Sequence, residues 1–193
     1  MKLIIASNNA HKVYEIKDIL SGKFDEILSL CEAGISHETV EDGSTFAENA
    51  LKKAREISEI AGCPVLADDS GLCVHALDGA PGIYSARFAG DLNGQKRDDA
   101  NNALLLKKLA DKTDKSAHFT CVVALVYPDG REILAEGYMY GKIIEEYRGA
   151  HGFGYDPIFV PEGESRTVAE MSDSEKNAIS HRGNALKNLL SKI

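Results

Sequence analysis

Apolar positions along the chain follow two patterns: short unbroken runs, and longer stretches in which they recur every three or four residues. Residues 3–6 are such a run, and residues 2–6 predict a buried strand, closed by the polar turn Ser7-Asn8-Asn9. Residues 10–20 then carry Val13, Ile16, Ile19 and Leu20 on one helical face. A second helix is predicted to open at Thr45, which stands in capping-box spacing with Glu48, and its stripe is Phe46, Ala50, Ala54, Ile57 and Ala61. Residues 64–67 read as a short strand ending at Asp68-Asp69-Ser70-Gly71, and residues 97–110 as a third helix rich in leucine and alanine. Residues 119–127, the turn Pro128-Asp129-Gly130 and residues 131–136 predict a β-hairpin. That antiparallel element makes the expected sheet mixed, within an α/β fold flanked by helices.

The C-terminal stretch is predicted to be two helices rather than one. Ser172 and Glu175 form one capping box, and Ser180 offers a second N-cap just before His181. An unbroken helix would set Lys176 and His181 roughly 140° apart around its axis, at about 100° per residue. A break at Ser180 lets Lys176 and the start of the second helix face one cleft.

With 193 residues and no repeat or linker, the chain is expected to be a single domain, residues 1–193, with its own core. A net charge of -8 argues against a protein that coats a nucleic-acid polymer, since that needs a surplus of Lys and Arg. It leaves room for a small phosphorylated ligand that brings its own magnesium. Cys31, Cys63, Cys73 and Cys121 show no metal-ligand spacing and read as reduced thiols. The apolar run at residues 3–6 is too short for a signal peptide and no segment approaches a membrane span, so the expectation is a cytoplasmic protein without a membrane partner.

The chemistry-bearing segments each admit two readings. Asp68-Asp69-Ser70-Gly71 is either a magnesium site, because adjacent carboxylates beside a core need compensation, or a polar turn. Ser7 to Lys12 is a strand-to-helix turn whose backbone N–H groups and lysine suit a phosphate chain, although any such turn favours Ser and Asn. In Gly152-Phe153-Gly154-Tyr155-Asp156-Pro157 the two rings could stack on a nucleobase or close the core. Lys176, His181 and Arg182 are donors near the helix break, or simply a solvated charged face.

Taken in chain order, these segments resemble the inosine-triphosphate pyrophosphatase family. The matching residues are Ser7-Asn8-Asn9-Ala10-His11-Lys12, Phe46-Ala47-Glu48-Asn49-Ala50, Asp68-Asp69-Ser70-Gly71-Leu72, Gly79-Ala80-Pro81-Gly82-Ile83-Tyr84-Ser85-Ala86-Arg87, Gly152 to Pro157, and Ser180-His181-Arg182-Gly183. The resemblance implies a homodimer of elongated, two-lobed α/β chains with a central nucleotide cleft. It also implies cleavage of non-standard purine triphosphates (dITP, ITP, XTP) between the α- and β-phosphates, with Mg2+ as cofactor. It makes Asp69 the proton acceptor and a metal ligand. Ser7, Asn8, Asn9, Ala10, His11, Lys12 and Lys53 become triphosphate contacts, Ser70 a substrate contact, and Phe153, Gly154, Tyr155, Asp156, Lys176, His181 and Arg182 the base-recognition set. Members often carry a metal-binding glutamate where this chain has Val40, so Glu41 is the expected second ligand. Two other classes stay open at this point: a metal-assisted phosphatase that releases orthophosphate, and a nucleotide sensor without turnover. The paired aspartates disfavour the sensor.

Overall fold

The computed structural model describes residues 2–193. Its elements are β1 (Lys2–Ile5), α1 (Ala10–Ile19), β2 (Glu26–Ser29), α2 (Phe46–Ala61), β3 (Val65–Val74), α3 (Gly94–Leu109), β4 (Ser116–Val126), β5 (Glu132–Ile143), β6 (Phe159–Pro161), α4 (Asp173–Ile179) and α5 (His181–Leu190). The strands lie in the order β2-β1-β3-β4-β5-β6. β1 runs parallel to both β2 and β3, whereas β5 and β6 are antiparallel, so the sheet is mixed as expected. Among the described residues no helix is long and apolar enough to cross a membrane.

The chain folds as two compact units. The first comprises Met1–Asp69, Cys121–Gly137 and His181–Ile193. Its central strands β1, β3 and β4 are covered on both faces, which explains their unbroken apolar runs. On one side Leu3, Ile5, Leu66, Val123 and Leu125 join Ile16 of α1, Leu20 at its C-cap, and Leu186 and Leu189 of α5. On the other, Ile4, Ala6, Val65, Ala67, Val122 and Ala124 join Ala50, Ala54 and Ile57 of α2. The second unit, Ser70–Thr120 and Tyr138–Ser180, builds its core from Leu72, Val74, Ala117, Phe119 and Met139 with Leu105 and Leu109 of α3. The intervening residues Cys73, His75, His118, Tyr138 and Tyr140 are half-buried or exposed, so this part of the sheet has one covered face.

Local signals account for most boundaries. Asn9 caps α1, its side chain accepting from the N–H groups of His11 and Lys12. Thr45 caps α2 by accepting from the Glu48 N–H, and left-handed Gly62 ends that helix. The Ser172 capping box is complete in both directions. Ser180 has extended backbone angles, φ -65 and ψ 154, so the helix breaks there and α5 begins at His181, as the sequence predicts.

One expectation is corrected, and one strand escaped the sequence reading. β3 does not stop at Asp68; it runs ten residues, through Asp68-Asp69-Ser70-Gly71 to Val74. The polar-turn reading of those residues therefore fails. β2 is only four residues long, too short for its alternation to register in the sequence.

Glycine at position 137 is demanded by packing, because β5 there meets the backbone of α5. A Cβ at Gly137 would lie 2.2 Å from both Ala185 N and His181 O. Backbone cannot yield as a side-chain tip can, so Gly137→Ala is expected to cost about 1–3 kcal/mol. In a chain of this size that lowers the melting temperature by roughly 2–12 °C, readable by circular dichroism. An unchanged melting temperature would mean that α5 shifts freely.

Candidate active site

Successive side chains of a strand point to opposite faces of its sheet. In β3, Leu66 belongs to the core shared with α1 and α5, whereas Val65 and Ala67 belong to the one shared with α2. Carrying the alternation on sends Asp68 toward α1 and α5 and Asp69 toward α2. Adjacent in sequence, the two carboxylates enter different surroundings.

Asp68 is 1% exposed and meets cations. Its Oδ2 accepts from Arg182 Nη2 at 3.1 Å and Nε at 3.3 Å, and lies 3.0 Å from Lys12 Nζ. Arg182 Nη1 also donates to Glu15 Oε2. Burial opposes the charge of Asp68, but Lys12, Arg182 and Lys53 outweigh it and hold the carboxyl well below the usual range. The adjacent Cys121 thiol is pushed up to about 12 by burial and by Asp68, and so stays protonated.

Asp69 shows the opposite balance. Asn49 Nδ2 donates to its Oδ2 at 3.0 Å, and Lys53 Nζ stands 3.8 Å from its Oδ1. Burial outweighs Lys53 and Lys12 here, raising the carboxyl above its ordinary value. The Asn49 amide is oriented by the Gly43 N–H, which donates to Asn49 Oδ1 at 2.9 Å and leaves the Nδ2 donor for Asp69. Lys53 Nζ also pairs with Glu41 Oε1 at 2.6 Å. Burial disfavours the charge on Lys53, yet Asp69, Asp68 and Glu41 raise its pKa. Carboxylates whose surroundings push them apart in this way take different roles in acid–base chemistry.

Ahead of α1, the Ser7–Asn9 turn is held at the end of β1. Ala6 N donates to Leu66 O at 2.8 Å, and Asn9 N to Ser7 Oγ at 3.2 Å. Asn8, Ala10 and His11 are half-buried or exposed around it. The first unit thus brings Lys12, Asp68 and Arg182 into one set of ion pairs and Glu41, Lys53 and Asp69 into another. His181 is buried at the first position of α5.

The second unit holds Ser70, half-buried in β3, and organises the glycine-rich loop. Asp156 Oδ2 accepts from Phe153 N at 2.9 Å and from Lys176 Nζ at 2.8 Å. The same ammonium lies 4.6 Å from the Phe153 ring centroid, over its face. A Cβ at Gly152 would come within 2.1 Å of Asp156 Oδ2, so this closure requires glycine. The two rings divide the roles left open by the sequence. Tyr155 is buried in the core and donates its hydroxyl to Ser85 O, whereas Phe153 remains half-buried beside Lys176.

Several supporting residues escaped the sequence reading. Asp98 Oδ2 accepts from Gly154 N at 2.8 Å, and Asn102 Nδ2 donates to Gly154 O at 2.9 Å, clamping that residue from α3. Asn101 bridges Ala89 N and the Ser85 and Ala86 carbonyls. A signal was present: Asp98, Asn101, Asn102, Leu105 and Leu109 form one helical stripe, so polar residues continue a core-facing line. Glu15, buried beside Ile16 in α1, and Asn49, facing the core side of α2, are comparable cases.

The sequence model of the Ham1 family matches residues 3–192. The dITP/XTP pyrophosphatase of Clostridium perfringens is 51% identical, the alignment covering 97% of this chain and 95% of that protein. The dITP/XTP pyrophosphatase of Ralstonia nicotianae is 46% identical, covering 100% and 96%. A HAM1 protein structure from Coxiella burnetii superposes with a TM-score of 0.88 at 40% identity, covering both chains in full at 100%.

The Glu15–Arg182–Asp68 triad makes a direct prediction. Arg182→Met removes the cation shared by two buried carboxylates, Glu15 and Asp68, which is expected to destabilise the fold by about 3–5 kcal/mol in urea unfolding. A loss below about 1 kcal/mol would show that the triad is no more than a surface ion pair energetically.

Proposed function

The chain belongs to the Ham1 family, and from that premise we propose that it hydrolyses non-standard purine nucleoside triphosphates, dITP, ITP and XTP, to the monophosphate and pyrophosphate. The observation that carries the mechanism is the divergence of Asp68 and Asp69. Asp68 is locked as an anion by Arg182 and Lys12, while the raised pKa of Asp69 makes it the better base.

In this reading Asp69 orients a water and takes its proton as the water attacks the α-phosphorus. The backbone and side chains of Ser7 to Lys12, with Lys53, bind the phosphate chain and stabilise charge on the departing pyrophosphate. Ser70 supplies a further substrate contact. Phe153 offers the half-buried ring for the purine, and Gly154, Tyr155 and Asp156 hold that ring in place. Donors on Lys176, His181 and Arg182 pair with the 6-keto oxygen of hypoxanthine or xanthine. Adenine presents an amino group there and leaves a donor unpaired, a contrast that can discriminate by about 10⁴ or more.

Magnesium fits the residues present. Glu41 and Asp69 both face the Lys53 ammonium and are therefore placed to share a cation. Among the described residues no group of three or more His, Cys, Asp or Glu could hold a metal alone. Two carboxylates completed by water and substrate phosphate are the donor set that magnesium accepts. The ion would neutralise the phosphate chain and polarise the α-phosphorus. We further infer a homodimer from the family resemblance, and the cytoplasm as the compartment because the triphosphate pool lies there.

Incubation with dITP and magnesium is expected to yield dIMP and pyrophosphate in equal amounts, resolved by ion-exchange chromatography. Orthophosphate as the sole primary product would overturn the assignment, and tight binding without product would make the chain a sensor. Asp69→Asn should lower kcat by roughly 10²–10⁴ while nucleotide binding stays measurable by calorimetry. Near-normal turnover in that variant would remove Asp69 as the base. Light scattering should give twice the chain mass of 20.9 kDa; a mass at the single-chain value would refute the dimer.

A further inference from the structure

Away from the residues assigned above, the uncovered sheet face of the second unit carries a hydrogen-bonded chain of titratable groups. Asp114 Oδ1 accepts from the Ser116 hydroxyl at 2.6 Å and from the Ser116 N–H at 2.8 Å. Ser116 Oγ lies 2.8 Å from His75 Nδ1, and His75 Nε2 lies 3.2 Å from His118 Nδ1. Beyond His118 stand the rings of Tyr140 and Tyr138, with centroids 5.5 and 6.1 Å away.

The proton positions in this chain follow from the chemistry of its ends. A carboxylate only accepts, so the single hydroxyl proton of Ser116 goes to Asp114. Ser116 Oγ must then accept from His75 Nδ1–H, which leaves a lone pair on His75 Nε2. That lone pair accepts from His118 Nδ1–H. An imidazole whose far N–H is tied through a hydroxyl to a carboxylate, with its near nitrogen bare, has the arrangement in which metal-bound histidines are held.

The spacing also suits a metal. Two nitrogens each about 2.0–2.1 Å from one ion lie about 3.3–3.4 Å apart at a tetrahedral angle and about 2.9 Å apart at a right angle. The observed 3.2 Å falls between these values; with the ring centroids 5.4 Å apart the two nitrogens face each other along their hydrogen bond, so each ring turns to aim its lone pair at a shared ion. We propose that His75 Nε2 and His118 Nδ1 are the protein ligands of a site for a borderline transition-metal dication, with zinc or nickel as the chemical class. His75 is exposed, so water completes the coordination shell. On binding, the proton of His118 Nδ1 moves through solvent to Nε2, and both rings stay neutral. The occupied site ties His75, at the end of β3, to His118 in β4.

The test is titration of the untagged full-length protein with nickel, and separately with zinc, by calorimetry in excess magnesium so that the carboxylate site is filled. The expected result is one ion per chain, with His75→Gln and His118→Gln each weakening it by more than tenfold. Asp114→Asn, which loosens the tautomer control, should weaken it by about tenfold. Hydrolysis of dITP with magnesium alone should be unchanged in all three variants. Absence of binding, or binding that survives both histidine substitutions and so belongs to the thiols or to the Asp69 cluster, would overturn the proposal. Because the readout is metal affinity, its failure is separable from a failure of the hydrolase reading.

Discussion

A strand cannot send two consecutive side chains to the same face, and β3 carries two consecutive aspartates through the interior. The first unit is arranged around that constraint. Each carboxylate has to find its compensation on its own side of the sheet, from whichever helix lies there. On the α1 and α5 side Asp68 is met by Lys12 and Arg182, and Arg182 is met in turn by Glu15. On the α2 side Asp69 is met by a neutral amide, Asn49, and by a lysine at 3.8 Å that pairs more closely with Glu41.

This asymmetry divides the labour. A buried carboxylate with close cationic partners gives up its basicity, and one with a neutral donor and a distant cation keeps it. Asp68 therefore serves as an anchor that joins β3 to α1 and α5. Asp69 remains the group whose proton affinity is raised. The second unit solves a different problem with similar means. A glycine-rich loop has exposed peptide groups and little side-chain mass to fix it. Here Asp98 and Asn102 of α3 fix both polar groups of Gly154, and Asp156 ties Phe153 N to Lys176. The one ring left half-buried, Phe153, is held by its own backbone.

What the sequence disclosed and what it concealed separate along one physical line. Caps and periodicities are interactions within a few residues, so α1, α2, the hairpin and the break at Ser180 were all legible. The length of β3 was not, because Asp-Asp-Ser-Gly has the composition of a turn and its cost as strand is offset by distant partners. Arg182, which compensates Asp68, lies 114 positions away along the chain. The same distance hid Asp98 and Asn102, whose loop partner is more than fifty residues on. Asn49 stood within a recognised block, yet only the meeting of Gly43, Asn49 and Asp69 gives it a task.

Charge balance in the first unit carries the argument one step further. Among the residues joined by these ion pairs, Lys12, Lys53 and Arg182 face Glu15, Glu41, Asp68 and Asp69, which leaves one negative charge in excess. Such a cluster cannot attract a triphosphate by its own net charge, since like charges repel across a poorly screened interior. The excess lies on the Asp69 side, where Lys53 is shared between two carboxylates while Asp68 and Glu15 already have close cations. Under the proposed function, a divalent cation entering with the substrate would remove that deficit at the place where it exists. Held by Glu41 and Asp69, it would release Lys53 from them and free its ammonium for the phosphate chain. Such coupling would make cation and nucleotide binding mutually reinforcing, because each would supply the charge that the other needs.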